Sequence, residues 1–322
     1  MKKTVKIWLT VAASFLLVGI IIFGGMMTML KWDFSKLSTA KLETNEHEIT
    51  EEFSNITVKT NTANIIFTIS DDEKYRVICY EEKKATHSVT VQEDTLVINI
   101  VNKKAWYDYI GFNFSSPKIT IYLPKTEYNS LVIKESTGDI EIAKEMKFKN
   151  MDISVSTGDV KCYASAEEAI KIATTTGDIC VEGISAGSLD LSVSTGKITV
   201  SDTICENEFN IAVSTGNTVL SGIKCKNLTS TGSTGNITLT DIIATEKFSI
   251  ERSTGSVKFD GCDAAELFVE TDTGNVTGTL LSEKVFIIDT NTGKKDVPKT
   301  ISGGRCEITT DTGDIKIAIK SS

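Results

Sequence analysis

The sequence predicts an all-β fold: a single-stranded β-solenoid (β-helix) of about ten 19–20-residue rungs, preceded by one transmembrane α-helix. Three observations predict it. A Thr-Gly dipeptide recurs ten times between Gly138 and Gly313, at steps of 19 or 20 residues. Around each glycine, apolar and polar residues alternate with the period of two that marks a strand with one buried face. Near the amino end, Ile7 to Leu30 form a run of 24 residues without a charged side chain.

The apolar run comes first in the chain. About 20 apolar residues span the hydrocarbon core as a helix, so this run is long enough to cross with some tilt. Lys2, Lys3 and Lys6 precede it and Lys31 follows, an arrangement that keeps the amino end in the cytoplasm and places the rest outside. A cleaved signal peptide would have an apolar stretch of roughly 7–15 residues and a small-x-small site after it. This run is longer and ends in Met26-Met27-Thr28-Met29. The expected organisation is a short cytoplasmic tail (1–6), an anchor (7–30), a β-rich cap with the first coils (31–130) and the Thr-Gly solenoid (131–322).

Residues 31–130 hold both histidines and over half of the aromatic side chains. Asn61-Thr62-Ala63-Asn64 reads as a worn copy of the repeat corner, and a solenoid needs an atypical first unit to cover the open end of its core. Trp106, Tyr107, Tyr109 and Phe112 form the densest aromatic cluster. Packing within the cap is the simpler reading; contact with a sugar or a lipid surface is the sharper one.

The repeat proper turns at Gly138, Gly158, Gly177, Gly196, Gly216, Gly235, Gly255, Gly274, Gly293 and Gly313. Seven and five residues before each glycine the columns are apolar, as in Leu131 and Ile133 or Phe209 and Ile211. Two after it stand Ile or Val, with Thr218 and Lys295 as exceptions, and Ser230 interrupts the column at minus five. A unit of this length cannot bury its own apolar face, so stacked units must share a continuous core. At about 4.8 Å per rung, ten rungs make a rod of roughly 45–50 Å.

The Thr column reads most simply as a hydroxyl ladder beside a glycine turn, and more sharply as an ice-, glycan- or cation-binding stripe. After the glycine, Asp139, Asp159 and Asp178 allow a weak calcium reading, but the column later wanders to Lys, Asn and Ser, ordinary turn residues among them. Otherwise no metal site, no cofactor site and no catalytic residue is expected. Gly183-x-Ser185-x-Gly187 matches a hydrolase elbow, but no histidine follows His87. Leu123-Pro124-Lys125-Thr126 lies mid-chain and is not a sorting signal. Cys205 and Cys225 stand nine residues after their glycines in adjacent rungs, where their Cα atoms should lie about 5 Å apart, inside the disulfide window.

Past Trp32 the chain carries 30 basic and 43 acidic residues, a net charge of −13, which speaks against nucleic acid as a partner.

Phe53-Ser54-Asn55-Ile56, Lys118 to Pro124, and Ser136-Thr137-Gly138-Asp139-Ile140 with its echoes resemble the bacterial "putative adhesin" β-strand-repeat family of unknown function, the LiaG-like group. The resemblance implies a membrane-tethered extracytoplasmic solenoid, non-catalytic, with cell-wall polymer or another envelope protein as partner. It carries over no catalytic residues. Two alternatives stand beside it: an accessory to envelope-stress sensing through a membrane partner, and a glycan-active enzyme.

Overall fold

The computed structural model describes residues 3–33, 41–109 and 116–320. Helix α1 (Lys3–Met29) covers the apolar run, and none of its most apolar window is buried against the rest of the chain. Everything after it is β. The first strands are β1 (Leu42–Ile49), β2 (Asn55–Thr62), β3 (Asn64–Ile69), β4 (Tyr75–Glu82), β5 (Ala85–Gln92), β6 (Thr95–Asn102), β7 (Lys118–Leu123), β8 (Glu127–Thr137) and β9 (Ile140–Ile142). From there each rung is a strand that ends at Thr-Gly, followed by a second strand.

Strands before the corner stack in parallel into one ladder and strands after it into another. The register is the one that the repeat predicts: Leu131 lies opposite Met151, Met151 opposite Ile170, and Phe209 opposite Leu228. Inward residues of both ladders form one continuous buried core from Ile49 to Ile317. Burying this side of every strand supplies the main stabilisation, since no unit could remove its apolar face from water alone.

The corner glycines stack peptide on peptide. A Cβ on Gly158 would lie 2.0 Å from the Gly138 carbonyl oxygen, and one on Gly216 would lie 1.8 Å from that of Gly196. Their φ values of +144° and +142° add a second reason for glycine. Ala63 occupies the corner below Gly138, and Thr62 pairs with Thr137 and Ile65 with Ile140.

Chain order and stacking order differ at both ends. The rung made by β2 and β3 lies between the β6–β7 rung and the β8–β9 rung. At the other end, strand Gly304–Thr312 inserts between Val257–Thr273 and Lys284–Thr292. The terminal rung is therefore the one that turns at Gly293, not the last in sequence. The last strand in sequence, Ile315–Ile319, is not an outer edge, since it is paired on both sides. Lys295, an exception in the apolar column, falls in this terminal rung, where it is exposed and pairs with Asp289 at 2.9 Å.

A second turn lies six residues after the glycine in the middle rungs. Gly183, Asp202, Gly222, Asp241 and Gly261 all have φ between +49° and +66°. Glycine and aspartate alternate because the Asp202 carboxylate reaches over the next rung: a Cβ on Gly222 would stand 2.7 Å from its Oδ1. The G-x-S-x-G match begins at this turn, and Ser185 starts a strand rather than a helix. The strand–turn–helix geometry of an elbow is therefore missing as well as the histidine.

Candidate functional site

Two regions concentrate polar chemistry. The first runs along the corner. Eleven threonines stand in register and exposed, from Thr62 through Thr137 and Thr157 to Thr273, Thr312 and Thr292. The residue after each glycine makes a second ladder. Asp159 N–H donates to Asp139 Oδ1 at 2.9 Å, Asp178 N–H to Asp159 Oδ1 at 2.8 Å, and Lys197 N–H to Asp178 Oδ1 at 2.7 Å. Asn217, Asn236, Ser256, Asn275 and Asp314 accept in the same way from the next rung. The three aspartates named for calcium thus each spend one oxygen on the backbone, and their position tolerates any short acceptor. Lys294 closes the series in the terminal rung, where no further N–H needs an acceptor.

Beside the threonines the outward face is built from small residues. Ser154, Ala173, Ser192 and Ala212 form one column, and Ser156, Thr175, Ser194 and Ser214 the next. All of these but Ser156 line a shallow trough of about 220 Å³. Short side chains on a regular ladder leave a flat surface rich in hydroxyl groups.

The second region lies inside the cap. Strands β4 and β5 pair only at Glu82–Ala85; then β4 joins β1 and β7 while β5 joins β6. This split sets side chains of β4 and β5 facing each other across the core. Cys79 and Glu81, two apart on one face of β4, meet His87 of β5, with their ligand atoms all within 4.8 Å of one another. His87 Nδ1 lies 2.6 Å from Glu81 Oε2, and its Nε2 lies 2.8 Å from Thr60 Oγ1. Asn45 of β1 donates to the other Glu81 oxygen at 2.7 Å. Cys79, Glu81, His87 and Thr60 are all buried, and burial pushes the Cys79 thiol up to about 12. Neighbouring His47 Nε2 is buried without a hydrogen-bond partner.

Thr60 also borders a cavity of about 510 Å³, with Lys59, Asn99, Lys134 and Glu135 in its lining. Glu135 donates nothing and accepts from Thr137 N–H through Oε1, while its Oε2 has no partner. Burial raises its carboxyl to about 7. No motif points to this region: Cys79-x-Glu81-x5-His87 looks like scattered residues until the β4–β5 split is known.

The remaining predicted sites are placed as follows. Trp106, Tyr107 and Tyr109 share one 3-10 turn with Trp106 77% exposed, and Phe112 lies outside the described residues. Cys205 and Cys225 face each other in adjacent rungs as the spacing predicts, and both are buried. In-register parallel rungs hold Cβ atoms at about the 4.8 Å rung spacing, wider than the 3.5–4.5 Å of a disulfide. The polar exceptions Thr218 and Ser230 are explained by Arg252. Its buried guanidinium donates to Ser230 Oγ at 2.8 Å and Thr218 Oγ1 at 3.3 Å, over the notch left by Gly232.

Against solved structures the chain resembles a crystal structure from Bacteroides fragilis described as a "putative adhesin", at 19% identity, a TM-score of 0.44, and coverage of 86% of this chain and 97% of that one. A "putative lipid binding protein" from Parabacteroides distasonis is also 19% identical, with a TM-score of 0.48 over 75% of this chain and 95% of that one. A "putative adhesin" from Parabacteroides merdae is 11% identical, with a TM-score of 0.49 over 76% and 98%. No curated protein matches. The Toastrack family model matches residues 53–207 and again 203–322, and on that match the chain belongs to the Toastrack DUF4097 family.

Proposed function

We propose that the chain is a non-catalytic binding scaffold, anchored in the membrane by α1, whose rod stands outside the membrane and binds an envelope polymer or envelope protein along its hydroxyl-rich face. The observation that carries the reading is the pairing of two features in one chain: a long apolar helix whose most apolar window is not buried against the rest of the described residues, and a rigid ladder of Ser, Thr and Ala along successive rungs. A flat array of hydroxyls at a fixed 4.8 Å repeat suits an extended, repeating ligand better than a small molecule. The naming of similar solved proteins as adhesins agrees with this reading.

Protease shaving of intact cells, read with antibodies to the carboxyl end, tests the placement. Loss of the rod with an intact amino-terminal stub supports it; full protection of the rod on cells whose surface proteins are cleaved overturns it. Purified full-length protein in mild detergent then tests the face. Ser192→Arg with Ser194→Arg should abolish retention on isolated wall material if that face binds it. Unchanged retention would move the binding elsewhere.

A further inference from the structure

We propose that Cys79, Glu81 and His87 form a binding site for a divalent metal ion of the zinc class, built into the cap next to the first rungs. Three donors of different type, a thiol, a carboxylate and an imidazole, converge within 4.8 Å. Mixed sulfur, nitrogen and oxygen sets of this kind suit zinc, whose ligand distances of about 2.0–2.3 Å place neighbouring donors roughly 3–4 Å apart.

The surroundings are those that a metal site needs. A ligating histidine almost always directs its second ring nitrogen to an oxygen, which fixes the tautomer and the ring plane. Here His87 Nε2 faces Thr60 Oγ1 at 2.8 Å, and Nδ1, which bonds to Glu81 Oε2 at 2.6 Å without the ion, is the nitrogen that would turn to it as the two donors part to make room. Likewise Asn45 holds Glu81 Oε1 at 2.7 Å and leaves Oε2, which the His87 backbone N–H steadies at 2.7 Å, as the single donor. A buried carboxylate and imidazole are costly in an apolar core unless paired or coordinated; without the ion Glu81 and His87 meet that cost by pairing with each other, yet no structural demand of the repeat places them here, since other rungs fill inward columns with Ile, Val and Leu.

The ion would tie β4 to β5 where their pairing has ended and join both to β2 through Thr60. Binding displaces the thiol proton of Cys79 to solvent, so uptake is coupled to proton release. With three protein donors a fourth position stays open for water or for another side chain of the cap.

The test uses full-length protein in mild detergent, stripped with a chelator, passed through a desalting column and titrated with zinc chloride and with cobalt chloride under reducing conditions. One zinc per chain is expected, together with a thiolate-to-cobalt charge-transfer band. Cys79→Ser and His87→Gln should each weaken zinc binding at least 100-fold, and Thr60→Val should weaken it by about 10-fold through loss of the second-sphere contact. The wild-type readings stand even where a variant fails to fold. A stripped wild-type protein with native circular dichroism that takes up no zinc, or binds cobalt without the thiolate band, overturns the proposal. So does stoichiometric zinc binding that survives both ligand substitutions.

Discussion

Glu135 should cost the protein stability at neutral pH, and replacing it with valine should give that stability back in a pH-dependent way. Its position lies three residues before the corner glycine, a column in which Val155, Val193 and Val213 stand in other rungs. Burial raises the carboxyl from an ordinary 4.5 to about 7. Below 4.5 both folded and unfolded chains hold the proton. Between 4.5 and 7 the unfolded chain releases it and the folded chain retains it, so the native state binds more protons and stability falls as pH rises. The full span of 2.5 pH units corresponds to about 3 kcal/mol. Glu135→Val removes that loss but also the bond from Thr137 N–H, which contributes about 1 kcal/mol. A net gain of about 2 kcal/mol is expected at pH 8, or roughly 5 °C in Tm for a domain of this size, and little or no gain at pH 4. Thermal unfolding of the full-length protein in mild detergent, followed by circular dichroism at both pH values, reads the difference. An equal shift at pH 4 and pH 8 would refute the linkage argument, and a loss of stability at pH 8 would show that the carboxylate is satisfied.

Other positions give expectations of their own. Gly216→Ala drives a Cβ to 1.8 Å from a backbone oxygen, so it should destabilise by at least about 3 kcal/mol and lower Tm clearly; an unchanged Tm would mean that the corner stack is looser than described. Ser230→Val strips Arg252 of its 2.8 Å acceptor and should cost about 2–3 kcal/mol, whereas the triple change Thr218→Val, Ser230→Val and Arg252→Val should recover most of it, as a mutant cycle by chemical denaturation can show. Asp178→Ala removes the acceptor for Lys197 N–H and should cost about 1 kcal/mol, while Lys294→Ala in the terminal rung should stay within about 0.5 kcal/mol. Thiol titration of denatured, unreduced protein should count seven free cysteines; a count of five would establish the bridge between Cys205 and Cys225.

What could be read from the chain was whatever repeats. The Thr-Gly period specifies the rung length, and the alternation around it specifies which side of each strand is buried, so the register of Leu131 on Met151 follows. Stacking order does not follow, because parallel pairing between two rungs is equally good whether or not they are neighbours in sequence. The swap of Gly304–Thr312 with Lys284–Thr292 is therefore a property of the connections, not of the columns. The second turn was hidden for a different reason. Gly183 and Asp202 solve one backbone requirement with two residue types, so a search for a constant residue misses them. The cap cluster was hidden most deeply. Cys79 and Glu81 share a strand face by simple alternation, but His87 joins them only because β4 and β5 part after one bridge and run in different ladders.

Polar residues that break the apolar columns fall into two kinds, and the difference locates function. In the later rungs each break comes with its own partners. Arg252 has Ser230, Thr218 and the Gly232 notch, and buried Lys284 donates to Asp263 at 2.6 Å, to the Ala264 carbonyl at 2.6 Å and to Ser282 at 2.7 Å. Such sets are closed: every strong donor has an acceptor, and the rung gains specificity without an open valence. The cap and first rungs differ. The buried side-chain atoms that lack a partner among the described residues, His47 Nε2 and Glu135 Oε2, both belong to this end. The Cys79–Glu81–His87 cluster, on β4 and β5, belongs to the same end. Native proteins leave few buried polar atoms unsatisfied, and those that remain mark places where something other than folding sets the residue. The repeated part of the rod thus closes its polar sets, and the end that follows the helix in sequence keeps the open ones.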